Sequence, residues 1–257
     1  MVALAGAVVA LSSTATATTE RGDLLPDLLT ARPTKIYVKV TRRGRRLLRF
    51  PNEVVNVHVG PLELRPRPDD CDGDGVVRND RTAYQRIYRD GNGDGRFTRG
   101  VDVRFRVSRA GCTAFHPEHR HWHFEALAEY ALYALAGDGS LGPLVSGGRK
   151  VSSCVVDTNR RRPRLPGSPP RRFYGPGGTG CKRDSVGGIS IGWGDRYGAR
   201  VTGQHLDTTG VPDGVYCLVS RADPEDRIVE SDDENNERTT RVTLRGNAVA
   251  WRPYRPC

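Results

Sequence analysis

Six cysteines restrict the topologies open to this 257-residue chain, because they lie far apart and form no Cys-x-x-Cys pair. Isolated cysteines of this kind are typical of disulfides made in an oxidising compartment, and not of a zinc knuckle. Fifteen pairings are possible, and we prefer those between neighbours in sequence. The preferred pairs are Cys71 with Cys112, Cys154 with Cys181, and Cys217 with Cys257.

The remaining composition favours a loop-rich β protein. Hydrophobic residues make up 37%, glycine and proline number 30 and 17, and long helical periodicity is absent. Alternating, β-branched segments predict early strands over 35–40 and 47–59 and later strands over 214–221, 227–230 and 238–244. We therefore predict a mainly β fold, an antiparallel β-sandwich with long loops.

The N-terminus is predicted to be a signal peptide over residues 1–17. An apolar run over 2–11 precedes Ala15-Thr16-Ala17, whose small residues are typical of a signal-peptidase site. The run is too short to span a bilayer, so we predict a secreted protein without stable membrane insertion; a buried N-terminal strand is the alternative. Residues 24–257 are expected to form one domain.

The chain is basic, with a formal net charge of +10. Such a charge can indicate nucleic acid, an acidic polymer or an anionic cell surface as a partner. The arginines cluster in loop-like segments at 42–46, 160–164 and 171–172, with no recognition helix and no aromatic stacking platform. We interpret them as a solvated basic face and predict no nucleic-acid partner.

A histidine-rich segment gives the strongest functional signal. His119, His121 and His123 alternate, so on a β-strand their imidazoles would project from one face. Three neutral imidazoles suit a transition metal, and copper leads on affinity. A straight strand would separate the outer two by about 13 Å, so either the strand bends or His121 binds through its nearer nitrogen. His58 is interpreted as a structural histidine.

Two Asp/Gly-rich loops form an acidic insertion over residues 69–102. Each has oxygen-bearing side chains at positions one, three and five and glycine at six, the spacing of a calcium-binding loop. Arg81 and Val101 replace the usual acid at position twelve, with Asp80 and Asp102 one residue away. Helical spacing between the loops predicts a loop-helix-loop unit. The candidate calcium ligands are Asp70, Asp72, Asp74, Asp90, Asn92 and Asp94; plain Asp-Gly turns are the alternative.

Several segments, taken in order, resemble the catalytic domain of the lysyl oxidase family, copper amine oxidases that act on peptidyl lysine. They are Leu47–Pro51 with Asn56, the alternating histidines, Lys150 before Cys154, Asp195–Ala199, Pro212–Tyr216 and Val229–Asn236. The resemblance implies that the three histidines bind Cu(II) and that Lys150 and Tyr197 cross-link into lysyl tyrosylquinone. The implied reaction is oxidative deamination of primary amines by O2, which yields aldehyde, ammonia and hydrogen peroxide.

The resemblance leaves the catalytic base open. The family has a further histidine soon after its copper strand, and here Tyr130 or, with a one-residue gap, Glu129 takes that place. Asp157 is another candidate, because it follows the cofactor lysine closely. The family also implies a Ca²⁺ site of oxygen ligands, with a polar hairpin turn as the alternative. Its ligands would be Asp27, Leu28, Glu230, Asp232, Asn235 and Asn236.

Two competing functions also fit these residues. The first is a non-enzymatic, calcium-binding secreted adhesion or binding module in which the histidines hold a structural metal such as zinc. The second is metal-assisted hydrolysis, in which Glu125 would act beside the three histidines. A quinone absorbs visible light and reacts with hydrazines, so absorbance separates these functions from an amine oxidase.

Overall fold

A computed structural model of the chain describes residues 19–175, 181–253 and 255–257, and of residues 148–152 it describes the backbone alone. The predicted signal peptide lies outside these residues. Every helix or strand that they contain is a β-strand, which confirms the mainly β prediction. Within the same ranges, no helix has the length and apolar character that crossing a membrane requires.

The strands begin and end at the following residues. They are β1 (Asp23–Leu24), β2 (Leu28–Thr30), β3 (Tyr37–Val40), β4 (Arg46–Arg49), β5 (Asn52–Asn56), β6 (Leu62–Arg67), β7 (Asp80–Arg89), β8 (Phe105–His116), β9 (His121–Leu135), β10 (Leu141–Ser153), β11 (Asn159–Arg160), β12 (Gly187–Ile189), β13 (Trp193–Tyr197), β14 (Leu206–Asp207), β15 (Gly214–Ala222), β16 (Glu237–Arg245) and β17 (Ala248–Trp251). The expected strands at 35–40, 47–59, 214–221 and 238–244 are thereby confirmed.

These strands form three antiparallel sheets. The largest has the order β12-β6-β7-β8-β9-β15-β16-β17, with β1 paired to β7 and β10 paired to β9. A four-stranded sheet has the order β11-β13-β5-β2, and a three-stranded sheet has the order β14-β4-β3. Their buried side chains meet in one hydrophobic cluster, to which Leu132 and Leu218 of the large sheet, Val54 of β5 and Leu48 of β4 belong. Burial of this shared apolar surface holds the sheets together.

The cysteines pair as predicted. Disulfides join Cys71 to Cys112, Cys154 to Cys181, and Cys217 to Cys257. The first ties the acidic insertion to β8, and the last ties the end of the chain to β15. All three preferred pairings are confirmed.

The helix predicted inside the acidic insertion is wrong. Residues 82–89 belong to β7, which lies between β6 and β8. Tyr88 packs against Phe97 and Phe105 at ring-centroid distances of 4.5 and 6.1 Å, while its neighbour Ile87 is buried in a separate cluster. Because this strand is buried on both faces, its apolar residues follow one another at spacings that also fit a short helix.

The strand predicted over 227–230 is also wrong. This segment is irregular, and the Asp223 carboxylate accepts hydrogen bonds from the amides of Arg227 and Ile228 at 2.9 and 2.8 Å. Asp223 and Asp226 have φ values of 38° and 50°, outside the extended region. The carboxylate therefore holds a turn where alternation had suggested a strand.

Gly60 provides a test of the packing between the N-terminal segment and the core. A Cβ at this position would overlap the carbonyl group of Leu24. We expect Gly60→Ala to lower the free energy of unfolding by about 3 kcal/mol, because backbone atoms must move to relieve the overlap. Urea unfolding measures this loss. Gly137→Ala is the control, since a Cβ there meets no described atom within 4 Å, and equal midpoints for both variants would contradict the prediction.

Candidate active site

The clustered histidines lie on the hairpin between β8 and β9. β8 ends at His116 and β9 begins at His121, directly opposite it in register, so residues 117–120 form the connecting turn. His121 and His123 are two apart on one strand and therefore face the same way as His116. Phe115 and Trp122 pair on the opposite face at a centroid distance of 6.2 Å. The hairpin thus separates an imidazole face from an aromatic face.

The turn completes a cluster of four imidazoles. His119 stacks on His116 with ring centroids 4.2 Å apart, and His123 lies 4.7 Å from both His116 and His121. One ring nitrogen each from His116, His119 and His123 lies within 4.8 Å of the others. These three nitrogens are close enough to share one metal ion.

Two details differ from the sequence prediction. His119 lies in the turn and not on the strand, so the chain bends where a straight strand would have spread the ligands too far. His116 was missed as a member of the cluster, although its place five residues before His121 fits a hairpin pair. The alternation between His121 and His123 is present as predicted.

The surroundings of the cluster suit neutral, metal-binding rings. Burial and the neighbouring His116 and His121 lower the pKa of His119, and the neutral ring is the form that binds metals. His123 is 2% exposed. The Nδ1 atom of His116 is buried without a hydrogen-bond partner among the described atoms, a situation that costs about 1–3 kcal/mol and that metal coordination would relieve. The residues present therefore fit a transition-metal ion.

Tyr197 ends β13 as a half-buried side chain beside the buried residues Ser153 and Asp195. Its hydroxyl accepts a hydrogen bond from the amide of Cys154 at 2.9 Å. Ser153 donates a hydrogen bond of 2.7 Å to the Asp195 carboxylate, which lies two residues before Tyr197 on the same strand. Burial and the negative charge of Asp195 raise the pKa of Tyr197, so the phenol keeps its proton at neutral pH.

The end of β10 connects this tyrosine to the histidine hairpin. Ser153 is the register partner of Phe124, the residue that follows His123. Cys154 is bonded to Cys181, whose carbonyl accepts a hydrogen bond from the Trp122 amide at 2.9 Å. The segment that contacts the tyrosine hydroxyl is therefore fixed to the strand that carries His123.

Lys150 lies on β10, the strand that ends at Ser153. Its backbone lies opposite Glu129 of β9, but its side chain lies outside the described residues. Its predicted approach to Tyr197 therefore stays a prediction. Lys150 lies four positions before Cys154 on one continuous segment, and the Cys154 amide donates a hydrogen bond to the Tyr197 hydroxyl.

The candidate bases occupy different environments. Tyr130 is 1% exposed, donates a hydrogen bond of 2.9 Å to Gln204, and contributes to the raised pKa of Tyr197. Asp157 is also buried, and its oxygens accept hydrogen bonds from Ser190 and from the amides of Phe173 and Tyr174. The catalytic roles of both residues stay predictions.

Sequence reasoning missed three buried polar residues that lie beside Tyr197 or Tyr130. Asp195, Ser153 and Gln204 are each 2% exposed; Ser153 donates to Asp195, and Gln204 accepts from Tyr130. Asp195 had a signal in the sequence, because a residue two before the tyrosine on a strand shares its face. Ser153 and Gln204 had none, since long-range pairing brings them there.

The predicted calcium ligands from opposite ends of the chain come together. Glu230 accepts hydrogen bonds from the Leu28 amide and from the Asn236 side chain, the latter at 3.1 Å. Asn235 donates to Asp27 at 3.0 Å. These contacts place carboxylate and amide oxygens, the groups that Ca²⁺ prefers, around the start of β2. The assignment to calcium stays a prediction.

This cluster concentrates negative charge. Glu230 is 2% exposed, and burial together with the Asp223 carboxylate raises its pKa from 4.5 to about 10. Burial and the negative charge of Asp232 also raise the pKa of Asp27. A cation placed here would stabilise the ionised carboxylates that burial disfavours.

An antiparallel β fold with ring nitrogens clustered on one hairpin defines a β protein with a candidate transition-metal site. The lysyl oxidase family model matches residues 102–252, more than half of the chain, so the protein belongs to the lysyl oxidase family. It is similar to lysyl oxidase homolog 4 of Mus musculus, with 30% identity over 136 residues. The alignment covers 52% of this chain and 16% of the mouse protein.

Proposed function

We propose that the protein is a secreted copper-dependent amine oxidase. It would convert primary amines, such as peptidyl lysine, to aldehydes with O2 and release ammonia and hydrogen peroxide. The observation that carries the proposal is the cluster of imidazoles on the β8–β9 hairpin in a member of the lysyl oxidase family. The three disulfides fit an oxidising compartment, and the signal peptide over 1–17 is part of the proposal.

The histidine hairpin would hold Cu(II). His119, His121 and His123 are the proposed ligands. The ring nitrogens that lie within 4.8 Å of one another belong to His116, His119 and His123, so His116 is close enough to take part, and His121 lies beside His123 at a centroid distance of 4.7 Å. Bound copper, with a quinone made from Lys150 and Tyr197, would supply the electron acceptor that ordinary side chains lack. The partial burial of the cluster supports the neutral rings that copper binding requires.

The residues around Tyr197 would orient it and control its proton. The Cys154 amide fixes the position of the phenolic oxygen, and Asp195 disfavours its ionisation. Of the candidate bases, Tyr130 is a buried phenol whose hydroxyl donates to Gln204, so it holds its own proton. Asp157 has a carboxylate whose pKa burial raises, and four hydrogen bonds engage it.

The competing functions have less support. In metal-assisted hydrolysis Glu125 would act beside the histidines, but it lines a cavity of about 590 Å³ together with Asp72 and the Cys71–Cys112 disulfide. Its carboxylate therefore faces the acidic insertion. A calcium-binding adhesion module and an amine oxidase would both contain the Glu230 cluster, so the cluster does not distinguish them. Measurements of bound copper and of amine turnover separate the two.

Copper retention tests the proposed site. We expect the purified protein, loaded with Cu(II), to release hydrogen peroxide from a primary alkylamine. The double variant His121→Ala, His123→Ala should retain no copper after dialysis and show no turnover, because it loses two imidazoles of one face. Metal analysis and a peroxide assay measure both outcomes.

His58→Ala is the matched control for this experiment. His58 lies between β5 and β6 and hydrogen-bonds the Leu25 carbonyl at 3.1 Å. It is far from the hairpin in sequence, so its loss should leave copper binding unchanged. Copper retained by the double variant would contradict the ligand assignment. Peroxide release by copper-free protein would contradict the function itself.

A further inference from the structure

We infer that the first acidic loop, residues 70–80, binds a Ca²⁺-class cation and thereby stabilises the histidine hairpin, whereas the second loop, residues 90–102, is closed by its own hydrogen bonds. The two loops share one sequence pattern, which predicts the same property for both. The acid that closes each loop, Asp80 or Asp102, is bonded differently in the two loops. This site is additional to the amine oxidase proposed above.

The loops fold alike in their first six residues. In the first loop, Asp70 accepts hydrogen bonds from the amides of Gly73 and Gly75 at 2.8 and 2.9 Å. In the second loop, Asp90 accepts the equivalent bonds from its two glycine amides at 2.7 and 2.8 Å. These bonds shape a tight acidic turn, and by themselves they do not distinguish a metal site from a plain turn.

The acid that closes each loop makes the difference. In the second loop Asp102 is fully engaged, because one oxygen accepts from the Gly91 amide at 2.8 Å and the other from the Thr98 amide at 2.6 Å. In the first loop one oxygen of Asp80 accepts both amide bonds, from Cys71 at 2.5 Å and Asp72 at 2.9 Å.

The other oxygen of Asp80 has no hydrogen-bond partner among the described atoms. The side chain is 2% exposed, so water cannot readily replace the missing partner. A buried carboxylate oxygen without a partner is costly, and such oxygens are paired or coordinate metals. An ion at this position would remove the cost.

The neighbouring oxygens define the class of ion. One carboxylate oxygen each from Asp70, Asp72 and Asp80 lies within 4.8 Å of the others. Carboxylate oxygens that accept one N–H bond keep further acceptor capacity. Three carboxylates and no nitrogen or sulfur suit a hard cation. A loop that also carries Asp74 can supply the larger set of oxygen ligands that Ca²⁺ takes, whereas Mg²⁺ usually keeps several waters. Burial and the negative charges of Asp72 and Asp80 raise the pKa of Glu125, and Arg227 opposes them.

The loop is attached to the histidine hairpin at three places. Asp80 is the register partner of Ala114 in β8, and the Phe115 amide donates to the Asn79 carbonyl at 3.2 Å. The Cys71–Cys112 disulfide provides the third attachment. Because β8 ends at His116, an ion that orders the loop also orders the strand end that carries this imidazole.

Calcium binding to copper-free protein tests the inference. We use Glu230→Gln as the background, so that the other predicted calcium site does not contribute, and measure Ca²⁺ binding by calorimetry. In this background, a second substitution, Asp80→Asn or Asp72→Asn, should weaken Ca²⁺ binding at least tenfold. Added Asp102→Asn should leave it unchanged, because Asp102 closes the equivalent position of the second loop.

Amide hydrogen exchange tests the link to the hairpin. Ca²⁺ should slow exchange over residues 112–116 in the background protein and in the Asp102→Asn variant, but not in the Asp72→Asn variant. Asp72 is exposed, so its replacement tests the site even if Asp80→Asn fails to fold. Equal Ca²⁺ affinity in the Asp72 and Asp102 variants would overturn the assignment, and unchanged exchange on Ca²⁺ binding would overturn the coupling. Neither readout depends on amine oxidation.

Discussion

Replacement of Tyr197 by phenylalanine is expected to abolish amine oxidation and the absorption of the hydrazine adduct together. Phenylalanine has no hydroxyl group to oxidise, so we expect activity to fall by more than about a thousandfold, towards the uncatalysed rate. The variant should still fold. It loses the hydrogen bond from the Cys154 amide and a longer one of 3.4 Å to the Cys154 carbonyl, and the unpaired amide costs about 1–3 kcal/mol when it stays buried.

Copper content separates a cofactor effect from a folding defect. Tyr197→Phe keeps all four imidazoles of the hairpin, so it should bind as much copper as the unmodified protein. Tyr37→Phe serves as the control, because Tyr37 lies on a different sheet, and it should keep both copper and activity. Amine oxidation by Tyr197→Phe above a tenth of the original rate would exclude this tyrosine as the cofactor precursor.

The proposed partner of Tyr197 can be identified directly. Mass spectrometry of copper-loaded protein should detect a peptide in which Lys150 and Tyr197 are joined, as the resemblance to the family implies. The two segments are in contact through Cys154, which favours their reaction. Unmodified Lys150 and Tyr197 in protein that oxidises amines would require a different electron acceptor.

Calcium removal is expected to have the second large effect, and its size should depend on pH. At pH 8, chelation should lower the Tm by about 10 °C, the shift that corresponds to ligand at about a thousand times its Kd for a domain of this size. At pH 5 the loss should be much smaller. Thermal unfolding in excess Ca²⁺ or excess chelator measures both values.

The pH dependence follows from Glu230. Without a cation, its pKa rises from 4.5 to about 10 on folding, so the folded protein keeps a proton that the unfolded chain releases above pH 4.5. The metal-free protein therefore loses stability as pH rises through this range. Ca²⁺ binds the ionised carboxylate and offsets that loss, so its benefit grows with pH.

Glu230→Gln is the control for this effect. Glutamine cannot ionise, so the metal-free variant should lose the part of the pH dependence that Glu230 causes. Its response to Ca²⁺ at pH 8 should fall to the part that the loop at 70–80 supplies. An equal Tm shift at pH 5 and pH 8 in the unmodified protein would contradict the assignment of Glu230 as a ligand.

The sequence predicted the β class and the disulfides because both depend on local or simple pairwise signals. Alternation identified β15 and β16, and pairing neighbours in sequence identified the disulfides. The sequence prediction was wrong for residues 82–89. Burial on both faces of β7 gives Tyr84, Ile87 and Tyr88 a spacing that resembles that of a helix. The flanking calcium-loop patterns strengthened that wrong interpretation.

The candidate site was predictable in its residue types but not in its geometry. His119, His121 and His123 were recognised by alternation, but the turn that brings His119 and His116 together depends on strand pairing. Asp80 and Asp102 looked equivalent in sequence, and the distribution of amide donors separates them. Such differences arise from long-range packing, which a local pattern does not encode.

The disulfide between Cys154 and Cys181 has a consequence for the order in which the proposed copper site would mature. It joins the residue that fixes the Tyr197 hydroxyl to the residue whose carbonyl binds the hairpin strand. A chain synthesised under reducing conditions lacks this bond between the two halves of the site. Thiol oxidation would then precede metal loading, and the redox potential of the folding compartment would decide how much of the protein becomes competent to take up copper.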